Sequence, residues 1–161
     1  MRVSRMITIP ICGGVALSAA LAVLLPMTDA QAALGDTMAA APGGPGGAPV
    51  ALLNGAVQRR THVDAGGTTV NEYASSTGQI FAYTWQGPTV PDLPALLGAY
   101  DASYRAGAAA GFAAGENQDL HASRVAQPDL VVESGGQMRS YVGRAWLPGA
   151  LPAGVTPADL P

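Results

Sequence analysis

Three residues of this chain carry side chains that hydrolases use: Ser134, His62 and His121. A serine becomes a nucleophile when a histidine, itself oriented by an acid, removes its proton. Ser134 stands directly before Gly135-Gly136 and outside any Gly-x-Ser-x-Gly motif, and a serine beside a glycine pair is ordinary in a hairpin turn. A small hydrolase is therefore kept as an alternative, and no catalytic residue is assigned.

The two histidines, with Asp64 and Asp119 near them in the sequence, are also the candidates for a metal site. Zinc and similar ions need three or four convergent ligands held by further hydrogen bonds. Two histidines far apart in the chain do not supply that pattern. We expect no metal and no other cofactor.

Aromatic residues are the first candidates for binding. Tyr83 and Trp85 alternate with Phe81 along one predicted strand and share its face, and Trp146 ends the last predicted strand. They could form an exposed platform for a sugar or a peptide. They could equally form the core of a sheet covered by one helix, which is the interpretation that we favour.

Two arginines near the C-terminus are the other binding candidates. Arg139 and Arg144 could bind an anion or a carboxylate, because guanidinium groups bind such groups with two hydrogen bonds. Cross-strand pairing with Glu133 and Glu72 is the commoner arrangement and is favoured here.

The first residues have the layout of a secretory signal. Arg2 and Arg5 precede an uncharged, mostly apolar run over 7–27, and Ala30 and Ala32 provide small residues for a signal peptidase. We therefore predict a signal peptide over 1–32 and an exported, periplasmic protein without a stable membrane anchor. Secretion, or anchoring by an uncleaved N-terminal helix, is the alternative.

Composition limits the partners. The only cysteine, Cys12, lies in the predicted signal, so the remaining chain is predicted to be free of disulfides. The chain has a formal net charge of −3 and no lysine. Nucleic-acid binding is disfavoured, since neutralisation of phosphates supplies most of its affinity.

The predicted fold is α+β, a small antiparallel sheet with the element order β-β-β-α-β-β and one amphipathic helix packed on one face. An Ala/Gly/Pro-rich segment over 33–56 is predicted to be a disordered linker, 57–151 a single domain, and 152–161 an extended tail. The predicted strands cover 57–64, 68–74, 79–85, 129–134 and 137–146, and 119–128 is predicted to be a surface loop.

Asp92 is expected to cap the helix, whose apolar stripe is formed by Leu93, Leu96, Leu97, Tyr100 and Tyr104.

The register of the last hairpin stays open between two arrangements around Gly135-Gly136. A two-residue turn places Val132 opposite Arg139. A three-residue turn places Glu133 opposite Arg139, and it is preferred because it pairs opposite charges.

Four segments, 83–93, 96–100, 129–139 and 143–148, together resemble a bacterial family of short exported proteins known as a domain of unknown function. The resemblance extends over about 57–159. The resemblance implies an exported, periplasmic protein of a bacterium with two membranes, and it carries over no activity and no site residues.

The sequence thus favours a non-enzymatic periplasmic binding or accessory module whose ligand is unknown. Another envelope protein could be its partner by strand addition at an exposed sheet edge. A structural component of an envelope or appendage assembly is a second alternative beside the hydrolase.

Overall fold

The computed structural model describes residues 32–38, 47–116 and 121–160. The predicted signal peptide therefore lies outside the described residues except for Ala32. No helix in the described ranges is long and apolar enough to cross a membrane. The strands are β1 (Val50–Leu52), β2 (Val57–Val63), β3 (Thr69–Ser75), β4 (Ile80–Gly87), β5 (Ala122–Ala126), β6 (Val131–Gln137) and β7 (Ser140–Trp146).

These strands form one antiparallel sheet with the order β1-β2-β3-β4-β7-β6-β5. The helical segment follows β4 and consists of α1 (Leu93–Leu97), a 3-10 turn (Gly98–Tyr100) and α2 (Asp101–Ala113). The predicted class, an antiparallel sheet with one helical segment, is confirmed in outline. The predicted number of five strands is wrong, because β1 lies in the expected linker and β5 in the expected surface loop.

The helix begins where its cap predicts. The side chain of Asp92 accepts a hydrogen bond of 3.1 Å from the backbone N–H of Ala95, which satisfies one of the donors left open in the first turn. Leu96 and Leu97 are buried against the sheet. Leu93, Tyr100 and Tyr104 are partly buried against the same cluster, so the predicted stripe is confirmed.

Gly107 lies where α2 approaches β5 closely. A Cβ atom at Gly107 would lie 2.7 Å from Cγ1 of Val125 and would also meet the amide of Gln127. Gly107 therefore lets α2 pack directly against β5, the strand that the sequence did not predict.

Both predicted registers of the last hairpin are wrong. Gln137 pairs with Ser140, so the turn is made by Met138 and Arg139, and Glu133 faces Arg144 instead of Arg139. Arg139 has a φ of 66°, in the left-handed region.

The pair Gly135-Gly136, predicted to form the turn, lies inside β6 instead. A Cβ atom at Gly135 would lie 2.9 Å from the carbonyl oxygen of His121, and one at Gly136 would lie 2.8 Å from Cα of Tyr141. These glycines allow close contact between strands, which the sequence does not distinguish from a turn.

Each face of the sheet carries an apolar cluster. On the helix face, α1 covers a cluster that includes Val70, Tyr83 and Trp85. On the opposite face, which we call the tail face, Tyr73, Trp146, Val155 and Leu160 belong to a second cluster. The C-terminal segment, expected to be an extended tail, thus contributes to a core: Val155 and Leu160 are only 8 % and 6 % exposed.

The described part of the expected linker also differs from the prediction. Leu34 and Met38 are buried in the helix-face core. The backbone of 35–38 continues the sheet beside the start of β4, with hydrogen bonds such as Ile80 N–H to the carbonyl of Asp36, 2.9 Å. The apolar side chains of Leu34 and Met38 explain why this segment is ordered.

Candidate ligand-binding cleft

The aromatic binding candidates are interior residues. Tyr83 is 0 % exposed, Trp85 2 % and Trp146 6 %. The interpretation of these residues as an exposed platform is therefore wrong, and the interpretation as core is confirmed. Burial also raises the pKa of the Tyr83 hydroxyl far above its ordinary range, and this hydroxyl donates a hydrogen bond to the carbonyl of Ala32.

The two arginine candidates lie in different parts of the last hairpin. Arg139 lies in the exposed turn at one end of β7, whereas Arg144 is half-buried within the strand. Arg144 forms the predicted kind of cross-strand ion pair, with Glu133. The expected partnership between Glu133 and Arg139 is wrong, because the register places them apart.

The hydrolase candidates are not brought together as a triad. Ser134 and His121 line the same small cavity of about 220 Å³, and the Ser134 hydroxyl lies 2.8 Å from that of Ser123. His62 lies on β2, and three strands separate it from Ser134 on β6. Burial, with the charge of Arg60, lowers the pKa of His62.

The described ranges contain no group of three or more His, Cys, Asp or Glu side chains that could hold a metal ion.

A continuous line of polar residues crosses the tail face instead. Each member lies directly opposite the next on the neighbouring strand, from β2 through β3, β4, β7 and β6 to β5. We call this line the polar row; in spatial order it comprises Thr61, Asn71, Thr84, Arg144, Glu133 and Arg124.

The first half of the polar row is uncharged. The Thr61 hydroxyl donates to the side-chain oxygen of Asn71 at 2.7 Å, and the Asn71 amide donates to the Thr84 hydroxyl at 3.1 Å. These cross-strand bonds fix the orientation of the Asn71 amide.

The second half is charged. Glu133 lies between two arginines: its Oε1 is 2.9 Å from Nη1 of Arg124, and its Oε2 is 2.7 Å from both Nε and Nη2 of Arg144. Arg144 also donates from Nη1 to the carbonyl of Pro157 at 2.9 Å and lies 5.4 Å from the ring centroid of Trp146. The tail and a core aromatic thus hold Arg144 in place.

A cleft of about 940 Å³ lies over most of this row. Five members of the polar row belong to its lining: Asn71, Thr84, Arg144, Glu133 and Arg124. Gln86 and Val142, which face each other across β4 and β7, and Leu160 of the tail also line the cleft. The volume lies in the range of ligand pockets, about 300–1,000 Å³.

A second Arg–Glu pair lies on the helix face. Arg60 and Glu72 face each other across β2 and β3, with Nη2 of Arg60 2.8 Å from Oε2 of Glu72. Their side chains are only 5 % and 1 % exposed. Burial raises the pKa of Glu72, although the hydrogen bond and the charge of Arg60 act in the opposite direction.

Sequence reasoning identified Arg144 and Glu133 and missed the remaining members of the polar row. A signal was present at one position: Thr84 is a polar residue between two aromatic residues. Thr61 and Asn71 each have a charged or polar neighbour, so nothing in the sequence marks them. Thr61, Asn71 and Thr84 face one another only in the observed register of β2, β3 and β4, and no local pattern specifies that register.

The fold and the cleft define a class: a small antiparallel-sheet protein with a helix on one face and a partly covered polar cleft on the other. The family described as "Protein of unknown function (DUF2844)" matches residues 30–160, and the chain belongs to this family. No curated protein and no solved structure matches it. The predicted resemblance to a family of unknown function is thereby confirmed.

Proposed function

We propose that this chain is exported to the periplasm and that its mature domain is a non-enzymatic binding module, with the cleft on the tail face as its ligand site. One observation carries the binding part: a polar row crosses six neighbouring strands, and an open cleft lies over its members on five of them. The adjoining part of the same face is covered by the apolar tail.

The polar row is difficult to explain by stability. Exposed ion pairs contribute about 0–1 kcal/mol, and Arg124 and Arg144 remain 63 % and 35 % exposed in their pairs with Glu133. Hydrogen bonds between hydroxyl and amide side chains bring a similarly small net gain, since water competes for the same groups. Aligned donors and acceptors in a concave surface are what a polar ligand requires.

The contacts of the acidic and nucleophilic groups favour binding over catalysis. Both oxygens of Glu133, the carboxylate of the row, are engaged by guanidinium groups, so Glu133 is a poor candidate for a general base. Ser134 and His62 lie on strands that are not neighbours. Export is supported by the positive, apolar and small-residue parts of 1–32.

The proposal is tested with protein purified from the periplasm of a bacterium that expresses the full-length chain. Its intact mass should correspond to a chain that begins at Ala33. A full-length product that remains with the membranes would contradict export and cleavage.

Isotope-labelled mature protein is then titrated with maltotriose, tri-galacturonate and trialanine while backbone amide shifts are recorded. We expect at least one probe to shift amides of the polar row. Gln86→Ala, in the cleft lining, should weaken that binding, whereas Gln79→Ala, an exposed glutamine outside the cleft lining, should not. Shifts confined to other surfaces, or no shifts at all, would overturn the cleft as the ligand site.

A further inference from the structure

We infer that the ligand of the cleft is a small polyhydroxylated carboxylic acid, whose carboxylate binds at Arg124 and whose hydroxyl groups extend along the uncharged half of the polar row. The inference rests on the proposed function and names the chemical class of its ligand.

The charged end of the row already holds one carboxylate. Arg124 and Arg144 approach Glu133 from neighbouring strands on its two sides, and each of its oxygens accepts from a different guanidinium. Geometry of this kind recognises carboxylates through charge-assisted hydrogen bonds. The carboxylate of Glu133 therefore occupies a position of the kind in which the carboxylate of an acidic ligand would bind.

The two arginines are not equivalent. Arg144 is tied to Glu133, to the carbonyl of Pro157 and to Trp146, so its guanidinium is fixed. Arg124 pairs with Glu133 at 2.9 Å, and its side chain is 63 % exposed, whereas that of Arg144 is only 35 % exposed. An incoming carboxylate thus reaches Arg124 more easily, and it binds there in exchange for Glu133.

Charge favours an anion at this end of the cleft. Two arginines face one glutamate, whereas the whole chain has a net charge of −3. The cationic end is therefore a local exception on an acidic protein, and it attracts anions selectively.

The remaining part of the row fits hydroxyl groups. Gln86 is exposed in the cleft lining, and Asn71 beside it is half-buried, so two amides that donate and accept line this part of the cleft. Thr84 is 7 % exposed and holds the Asn71 amide in place. Beyond Arg144 the row continues over three strand intervals of roughly 4.8 Å, about 14 Å in all, which gives a small elongated ligand room on one side of the arginines.

A peptide fits this site less well. Extended peptides are usually bound by backbone hydrogen bonds at a sheet edge, with pockets for alternate side chains. The polar row is made of side chains that cross the sheet perpendicular to its strands, and only Arg124 lies on an edge strand. The cleft therefore offers side-chain groups of interior strands and not the open backbone of an edge.

The test uses the mature periplasmic protein and a matched pair of probes, tri-galacturonate and its methyl ester, in which the carboxylates are neutralised. We expect the ester to bind at least about tenfold more weakly. Arg124→Gln should weaken binding of the acid by about tenfold. Arg105→Gln is the matched control, because Arg105 is similarly exposed and forms an ion pair on α2. Arg105 lies outside the cleft lining, so this variant should bind the acid as wild type does.

Glu133→Gln provides a test of opposite sign. Removing the competing charge beside Arg124 should tighten binding of tri-galacturonate by about threefold to tenfold. Weaker binding in this variant would overturn the exchange of carboxylates.

The proposal for the ligand class and the proposal for the binding site can be refuted separately. If acid and ester shift the amides of the row with equal affinity, or if only maltotriose does so, the cleft remains a binding site and the acidic ligand is wrong. If tri-galacturonate binds outside the row, with Arg124→Gln indistinguishable from wild type, the proposed site fails as well.

Discussion

The two faces of the sheet each carry an Arg–Glu pair on directly opposed positions of neighbouring strands. Arg60 and Glu72 on the helix face are 5 % and 1 % exposed. Arg144 and Glu133 on the tail face are 35 % and 24 % exposed. The residue types and hydrogen-bond lengths are alike, and burial is the main difference.

That difference separates a structural pair from a binding pair. A buried pair is costly to desolvate and very costly to break, because the remaining charge has no water around it. A pair beside an open cleft contributes little to stability and can exchange partners with a ligand. The following substitutions test this contrast, beginning with the largest expected effect.

Arg60→Met should lower the free energy of unfolding by about 3–5 kcal/mol, because it leaves the carboxylate of Glu72 buried without its counter-charge. The double variant Arg60→Met with Glu72→Met should recover most of this loss. Urea denaturation of both variants measures the effect. A single variant within about 1 kcal/mol of wild type would show that the pair is not the structural element described.

Gly143→Ala should destabilise the protein by about 1–3 kcal/mol. Its Cβ atom would meet the indole ring of Trp85 on the helix face and lie 2.7 Å from the carbonyl oxygen of Glu133. Gly149→Ala is the control, since a Cβ atom there has no neighbour within 4 Å. Thermal unfolding of the two variants checks the prediction, and equal midpoints would contradict the packing of Trp85 on β7.

Glu72 should also make stability depend on pH. Because its native pKa is raised above the ordinary value of 4.5, the native state holds this proton more tightly than the unfolded chain does. The stabilisation from Glu72 is therefore greatest below pH 4.5 and is lost as the pH rises through the native pKa. Urea denaturation over a pH series should show this slope in wild type and a smaller one in Glu72→Gln. Parallel curves would argue against the raised pKa.

Glu133→Gln should have the smallest effect on stability, less than about 1 kcal/mol. The same urea experiment measures it beside the helix-face variants. A loss as large as that of Arg60→Met would show that both pairs are structural, and the contrast between the faces would then disappear.

Much of the fold follows from local patterns. The alternating strands β2, β3 and β4, the Asp92 cap and the leucine stripe of α1 were all predicted, because the residues that specify them lie within a few positions of one another. β5 was missed because Ser123 and Arg124 are exposed polar residues at a sheet edge, where no apolar alternation marks a strand.

Local patterns and the family resemblance were enough to predict a mostly β chain with one capped helix, a buried aromatic strand and membership in a family of unknown function. The hairpin register, the apolar tail on the second face and the alignment of the polar row depend on tertiary contacts. A row perpendicular to the strands brings together residues far apart in the chain, such as Thr61 and Arg144, and packing of the whole sheet fixes the register that aligns them.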